Sequence, residues 1–181
     1  MTRHVIVMVC MAIGTAMLGG CREEAIIARP AAVELTREAV GHYCQMTVLD
    51  HFGPKAQIHL VGNANPIWFT QIRDAVAFTL LPEETNEIAA IYVTDMSAAN
   101  WDEPTSGNWI AAEDALFAIE SDRRGGMGAP EAVPFGNRDA ADAFVSRHGG
   151  RVVGLAEIPK NYVLAPVEVP DVSDVVAGEG G

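Results

Sequence analysis

The tetrapeptide Leu18-Gly19-Gly20-Cys21 closes an apolar run that begins at Val5, and together they decide how much of the chain is left to fold. The run follows a short polar start, Arg3-His4. It is too short for a comfortable spanning helix, which needs about 20 apolar residues. Leu at the third position before a Cys, with two small residues between, matches the bacterial lipobox. There a signal peptidase cuts before the Cys and the Cys carries the lipid. Residues 1–20 are therefore expected to be a lipoprotein signal peptide and Cys21 its lipidation site.

This assignment reshapes the cysteine count. The chain has three cysteines. Cys10 leaves with the signal and Cys21 is consumed by lipid, so Cys44 has no disulfide partner. A lone thiol is unusual in an oxidising compartment and asks for a reason. Metal binding or burial would both serve. No second apolar run is long enough to span a bilayer, so the chain should be anchored by lipid and face the periplasm. Arg22 stands where the inner-membrane retention rule expects Asp, which favours the outer membrane over the inner one.

The formal net charge is −12, and it becomes more negative once Arg3 is removed. Such a chain repels phosphate backbones, which argues against nucleic acid as a partner. The apolar fraction of 49% is ample for a core. Residues 21–38, with Pro30, read as a tether from lipid to body. Residues 166–181 carry Asp, Glu, Pro and Gly with few large side chains and read as a disordered acidic tail.

Between them the pattern is α+β. Residues 39–95 read as one ββαβ unit. Its strands are expected at 43–48, 55–61 and 88–94, with a helix over 71–81 capped by Thr70 and ended near Pro82. Residues 96–165 read as a second ββαβ unit. Strands at 115–119, 133–135 and 151–158 surround a helix over 138–148, with Asn137 as N-cap and Gly149 as C-terminal stop; residues 109–112 are a further candidate strand. A faint echo joins the units: Phe69 and Phe78 stand nine residues apart, as do Phe135 and Phe144.

The chemistry gathers in His42-Tyr43-Cys44-Gln45-Met46-Thr47-Val48-Leu49-Asp50-His51-Phe52-Gly53-Pro54. If residues 42–48 form a strand, His42, Cys44 and Met46 share a face. Imidazole, thiolate and thioether side by side favour a soft metal, above all Cu(I), over Mg²⁺ or Ca²⁺. Met127 lies between Gly126 and Gly128 in a loop too flexible to bury it by packing. A zinc site would need four N or S ligands, and a single Cys with no Cys-x-x-Cys does not anchor one.

Three separated motifs together carry a resemblance. Cys44-x-Met46, then Asp50-His51-x-Gly53-Pro54-Lys55-Ala56-Gln57, then Met127-Gly128-Ala129-Pro130-Glu131-Ala132 with Phe135, resemble NosL, the copper-binding accessory lipoproteins of nitrous oxide reductase. The resemblance runs from the lipoprotein signal to about Ile158. It implies two related ββαβ units similar to the C-terminal core of organomercurial lyase. It also implies a Cu(I) metallochaperone, not an enzyme, that helps build the copper-sulfur centre of the reductase in denitrification. The ligands implied are Cys44, Met46 and Met127, with His51 of the matched Asp-His-x-Gly-Pro segment as a further candidate; His42 is a candidate by the alternation above. The partners implied are apo nitrous oxide reductase and a copper exporter or membrane assembly complex. Two other classes stand beside this: a lipid-anchored adaptor whose Cys44 is merely buried, and a thiol-dependent enzyme related to organomercurial lyase using His42 or His51 as base.

Overall fold

The computed structural model describes residues 29–84, 87–103 and 107–167. The expected signal peptide, Cys21 and residues 168–181 of the expected acidic tail lie outside the described residues. Among the described residues no helix is long and apolar enough to cross a membrane.

Two antiparallel sheets carry the fold. The first has the order β2-β1-β3-β4, built from β1 (Ala56–Leu60), β2 (Ile67–Phe69), β3 (Ile88–Thr94) and β4 (Trp109–Ala111). Helix α1 (Ile72–Leu80) connects β2 to β3. The second sheet has the order β6-β5-β7, from β5 (Leu116–Ile119), β6 (Val133–Phe135) and β7 (Arg151–Gly154). Helix α2 (Arg138–His148) connects β6 to β7, and a short α3 (Lys160–Leu164) follows. Strand order and helix position repeat: β2-β1-β3 around α1 matches β6-β5-β7 around α2.

The phenylalanine echo is the packing signature of this repeat. Phe69 ends β2 and Phe135 ends β6; Phe78 and Phe144 each stand at the seventh position of the following helix. The ring centroids lie 5.6 Å apart in the first pair and 5.2 Å in the second. Each pair pins a helix to the end of a hairpin at the tilted separation aromatic pairs prefer. Ile58, Phe69, Ile72 and Phe78 share one buried cluster with Phe117, Ile119 and Val153 of the second sheet, so the sheets are joined by one core.

Three expectations are corrected. Residues 43–48 form no strand. Gln45 takes a positive φ of 56°, its side-chain amide donates to His42 O at 2.6 Å, and Gly41 N donates to Met46 O at 2.9 Å. These bonds close a tight loop instead of extending the chain. The hairpin partner of β1 is Ile67–Phe69, three residues too few to show an alternation in sequence. Residues 109–111 pair with β3 in the first sheet, so that sheet draws a strand from beyond residue 95. Part of the stretch read as tether also lies on the body. The side-chain amide of Gln57 exchanges two hydrogen bonds with the Val33 backbone, at 2.8 and 2.9 Å, and Leu35 is buried. This cover explains why Gln57 and His59, on the face of β1 opposite Ile58, are buried as well.

Helix α2 has the expected caps: Asn137 Oδ1 accepts from Ala140 N at 2.9 Å, and Gly149 follows with φ 72°. Helix α1 does not. No side chain at its N-terminus caps it locally. Its first amides are taken by Glu131, which is wholly buried and 59 residues away. Oε2 accepts from Ile72 N at 3.3 Å and Oε1 from Arg73 N at 3.1 Å and Ala132 N at 2.9 Å. Three donors and the positive end of the helix surround one carboxyl. Lys55 is buried near it, with its ammonium donating to Phe52 O and Gly53 O at 2.7 Å each.

Burial, the largest influence, pushes the Glu131 carboxyl up to about 8 against the pull of its N–H donors. The folded protein then holds this proton more tightly than an unfolded chain, whose value is near 4.5. The stabilising contribution is fully present below the unfolded value and is lost as pH rises through the folded one. Burial pushes Lys55 down to about 8, and that contribution is lost only as pH falls from its ordinary 10.5, above this window. Relative to Glu131→Gln, the parent should therefore lose unfolding free energy between about pH 5 and 8, with a limiting slope of about 1.4 kcal/mol per unit. Urea unfolding at several pH values measures this; parallel profiles for the two proteins would refute it.

Candidate metal centre

Cys44 sits at the outer end of the tight loop that runs from the Val40–Thr47 bridge. It is half-buried rather than enclosed, and is the free cysteine among the described residues. Its Sγ lies 3.7 Å from Thr70 Oγ1. The thiol packs over Gly41, where a Cβ would come within 2.5 Å of the sulfur, so this loop needs glycine at its base. Met46, two residues on, exposes 44% of its surface. Thr70, expected to cap α1, instead faces the thiol, and the first amides of α1 are bonded by Glu131.

The second contributor is the loop from Arg124 to Pro130, closed by a bridge between those two residues. Met127 stands at its tip and is 41% exposed. Its N–H donates to Gln71 Oε1 at 3.3 Å, the residue next to Thr70. The loop is held from its other side by His51, whose Nδ1 lies 3.1 Å from Gly126 O. A carbonyl only accepts, so Nδ1 carries the proton and Nε2 presents its lone pair. That Nε2 is buried and has no hydrogen-bond partner among the described residues. A ring nitrogen held in one tautomer by a backbone carbonyl, with its lone pair unspent, has the form of a metal-ligating histidine.

Thr70 and Gln71 thus join Cys44, Met127 and the His51–Gly126 contact into one neighbourhood. His42 is drawn elsewhere. Its ring lies 5.4 Å from that of Phe78 and 5.7 Å from that of Phe69, and its Nε2 is 3.6 Å from Glu84 Oε1. The shared face expected for His42, Cys44 and Met46 depended on a strand that is absent. In the tight loop, His42 turns toward α1 while Cys44 turns toward Thr70. Tyr43 rides on the His42 side, its hydroxyl donating to Glu84 at 3.3 Å; burial, then Glu84, pushes that phenol up to about 12.

The remaining methionine, tryptophan and histidine side chains among the described residues are taken up by packing or hydrogen bonds. Met96 packs with Phe135 and Phe144. Trp101 lies under the Arg123 guanidinium at 5.0 Å. His59 bonds Gln57 at 2.9 Å, and His148 bonds Asp122 at 3.0 Å. Among the described residues no three His, Cys, Asp or Glu side chains gather into a metal-holding group. The Cys44 loop and the Met127 loop carry a thiol and a thioether, with the His51 imidazole bonded to the second, a soft set that suits copper better than zinc.

Sequence reasoning did not foresee Thr70, Gln71 or Glu131 as supports of this neighbourhood. Each acts on a partner 26 to 59 residues away, and no local pattern marks such a bond.

The NosL family model matches residues 32–163. The chain is 51% identical over 162 residues to the copper-binding lipoprotein NosL of Achromobacter cycloclastes, covering 88% of this chain and 83% of that one. It is 32% identical over 144 residues to the copper-binding lipoprotein NosL of Stutzerimonas stutzeri, covering 78% and 73%. Its fold is similar to the crystal structure of the copper chaperone NosL from Shewanella denitrificans, with a TM-score of 0.67 at 28% identity over 73% of this chain and 97% of that one. The matched region takes in the Cys44 loop, the Met127 loop and the buried Glu131 between them, and on these grounds the chain belongs to the NosL family.

Proposed function

We propose that this protein is a lipid-anchored, periplasm-facing Cu(I) metallochaperone, and that it supplies copper for assembly of the copper-sulfur centre of nitrous oxide reductase. The observation that carries the reading is that the adjacent residues Thr70 and Gln71 touch the half-buried thiol of Cys44 and the backbone of the exposed Met127, with His51 bonded to the same loop at Gly126. The names borne by its relatives, copper-binding lipoprotein and copper chaperone, support it. Lipidation at Cys21 holds it on the outer membrane, as Arg22 favours.

Cu(I) is the cargo. Cys44 is the principal ligand, because a thiolate brings both charge and softness. Met46 and Met127 add thioether sulfur, and His51 Nε2 stands ready as a nitrogen donor. His42, committed to Glu84 and the aromatic cluster, is not in the set. Cu(I) is satisfied by few ligands, and Met46 and Met127 are both exposed, so the site stays open to solvent. An acceptor can add its own ligand there before Cys44 lets go. Apo nitrous oxide reductase is the acceptor, and a copper exporter or membrane assembly complex is the source. The chain makes and breaks no covalent bond in its cargo's acceptor and is a carrier rather than an enzyme.

Anaerobic competition with a coloured Cu(I) chelator, using soluble protein that starts after Cys21, tests the site. Cys44→Ser should weaken binding by at least about 100-fold, and Met46→Leu and Met127→Leu by about tenfold or more, in the range known for changes around metal ligands. His51→Ala should weaken it too, whereas His42→Ala should leave affinity unchanged. Parent and Cys44→Ser competing equally poorly would remove the site.

Alkylation of the folded protein gives a second check. Cys44 should react in the copper-free state and be shielded by Cu(I). A thiol that stays unreactive in both states would favour the adaptor reading. Delivery itself requires that copper leave this chain for copper-free reductase; copper retained beside a competent acceptor would refute that role.

A further inference from the structure

We infer that Gln71 and Glu131 are positioning residues for copper capture: they fasten the glycine-rich loop that carries Met127 to the N-terminus of α1, and so set where its thioether stands. This rests on the reading of Met127 as a ligand.

An exposed Met between two glycines cannot be placed by packing. Its side chain is 41% exposed, and Gly126 and Gly128 offer it no neighbouring side chain. Its position must come from the backbone. The structure shows how that backbone is held. Met127 N–H donates to Gln71 Oε1 at 3.3 Å, while Gln71 Nε2 donates to Asp74 Oδ1 at 2.9 Å in the first turn of α1. The Gln71 amide is thereby oriented from the helix, with its oxygen aimed at the loop. At the loop's end, Glu131 grips Ile72 N and Arg73 N. Gly125 completes the fit, because a Cβ there would run into Glu131 Oε2 and would lie 2.7 Å from Gln71 Oε1. One glycine therefore touches both anchors at once. Thr70, the neighbour of Gln71, touches Cys44 Sγ. The same short stretch, residues 70–73, thus indexes the thiol on one side and the thioether loop on the other. Supporting groups of this kind commonly alter metal affinity by about 10- to 100-fold when removed.

The test compares Cu(I) affinity, by anaerobic chelator competition, for Gln71→Leu and Glu131→Leu. Each change is made in the parent and in Met127→Leu, and thermal unfolding is followed for all. Gln71→Leu keeps the bulk and removes both the acceptor for Met127 N–H and the donor to Asp74; Glu131→Leu removes the acceptors for Ile72 N and Arg73 N. In the parent, each should weaken binding about tenfold or more. In the Met127→Leu background neither change should weaken binding further, although both should shift the unfolding midpoint as they do in the parent. X-ray absorption should show Gln71→Leu losing the same sulfur contribution as Met127→Leu. Equal losses in both backgrounds would overturn the inference, since the residues would then act through general stability. No loss in the parent would overturn it as well. If Met127→Leu alone left affinity unchanged, the ligand reading of Met127 would fail instead, a result distinct from either.

Discussion

A single carboxyl, that of Glu131, ties the two halves of this protein together at the place where its chemistry gathers. Helix α1 begins without a local cap, so its first amides would be left without partners in a buried setting. Glu131 supplies them from the second half of the chain and is wholly buried in doing so. Burying such a group is unfavourable unless its hydrogen bonds are complete, and here three backbone donors complete them. The Met127 loop lies just before Glu131 in sequence. Seating that carboxyl therefore also delivers the loop to the end of α1, beside Thr70 and Cys44.

The rest of the fold frames this junction. Two units with the same strand order, each pinned by a Phe pair, pack into one core. The repeat supplies a hairpin-to-helix corner in each half. Only the first corner is elaborated: the Cys44 loop covers it, and residues 124–131 of the second half reach across to it. In the second half the equivalent helix has its own Asn137 cap and needs no distant partner. The asymmetry of the caps is the structural trace of where the two related units diverge in use.

Access to the proposed copper site and stability pull in opposite directions at this corner. A buried thiol and buried thioethers would add to the core, yet Met46 and Met127 are exposed and Cys44 is only half covered. The protein keeps soft donors at the surface and buries the polar groups that support them: Glu131, Gln71 and Lys55 are almost wholly enclosed. Rigidity thus sits beneath the site and access above it. That arrangement suits a ligand set that must be held in place yet reached by another protein.

Much of the molecule was legible in the sequence. Helix α2 with Asn137 and Gly149, β1, β3, β5 and the Phe spacing all follow from local pattern, because each depends on residues within a few positions of one another. The composite of motifs around Cys44, Met127 and Glu131 pointed to the NosL family on the same footing. What tertiary structure decided was everything that depends on partners far along the chain. The 42–48 segment had the composition of a strand, but Gln45 at positive φ and the Gly41–Met46 bond made it a loop, which separated His42 from Cys44. Thr70 had the chemistry of a cap, but Glu131 took that role and left Thr70 to the thiol. His51 gained an unspent lone pair only because Gly126, 75 residues away, accepts its other proton. Local sequence determines which donors exist and which elements can form. Their convergence is set by long-range hydrogen bonds and burial, and no spacing rule in one dimension records those.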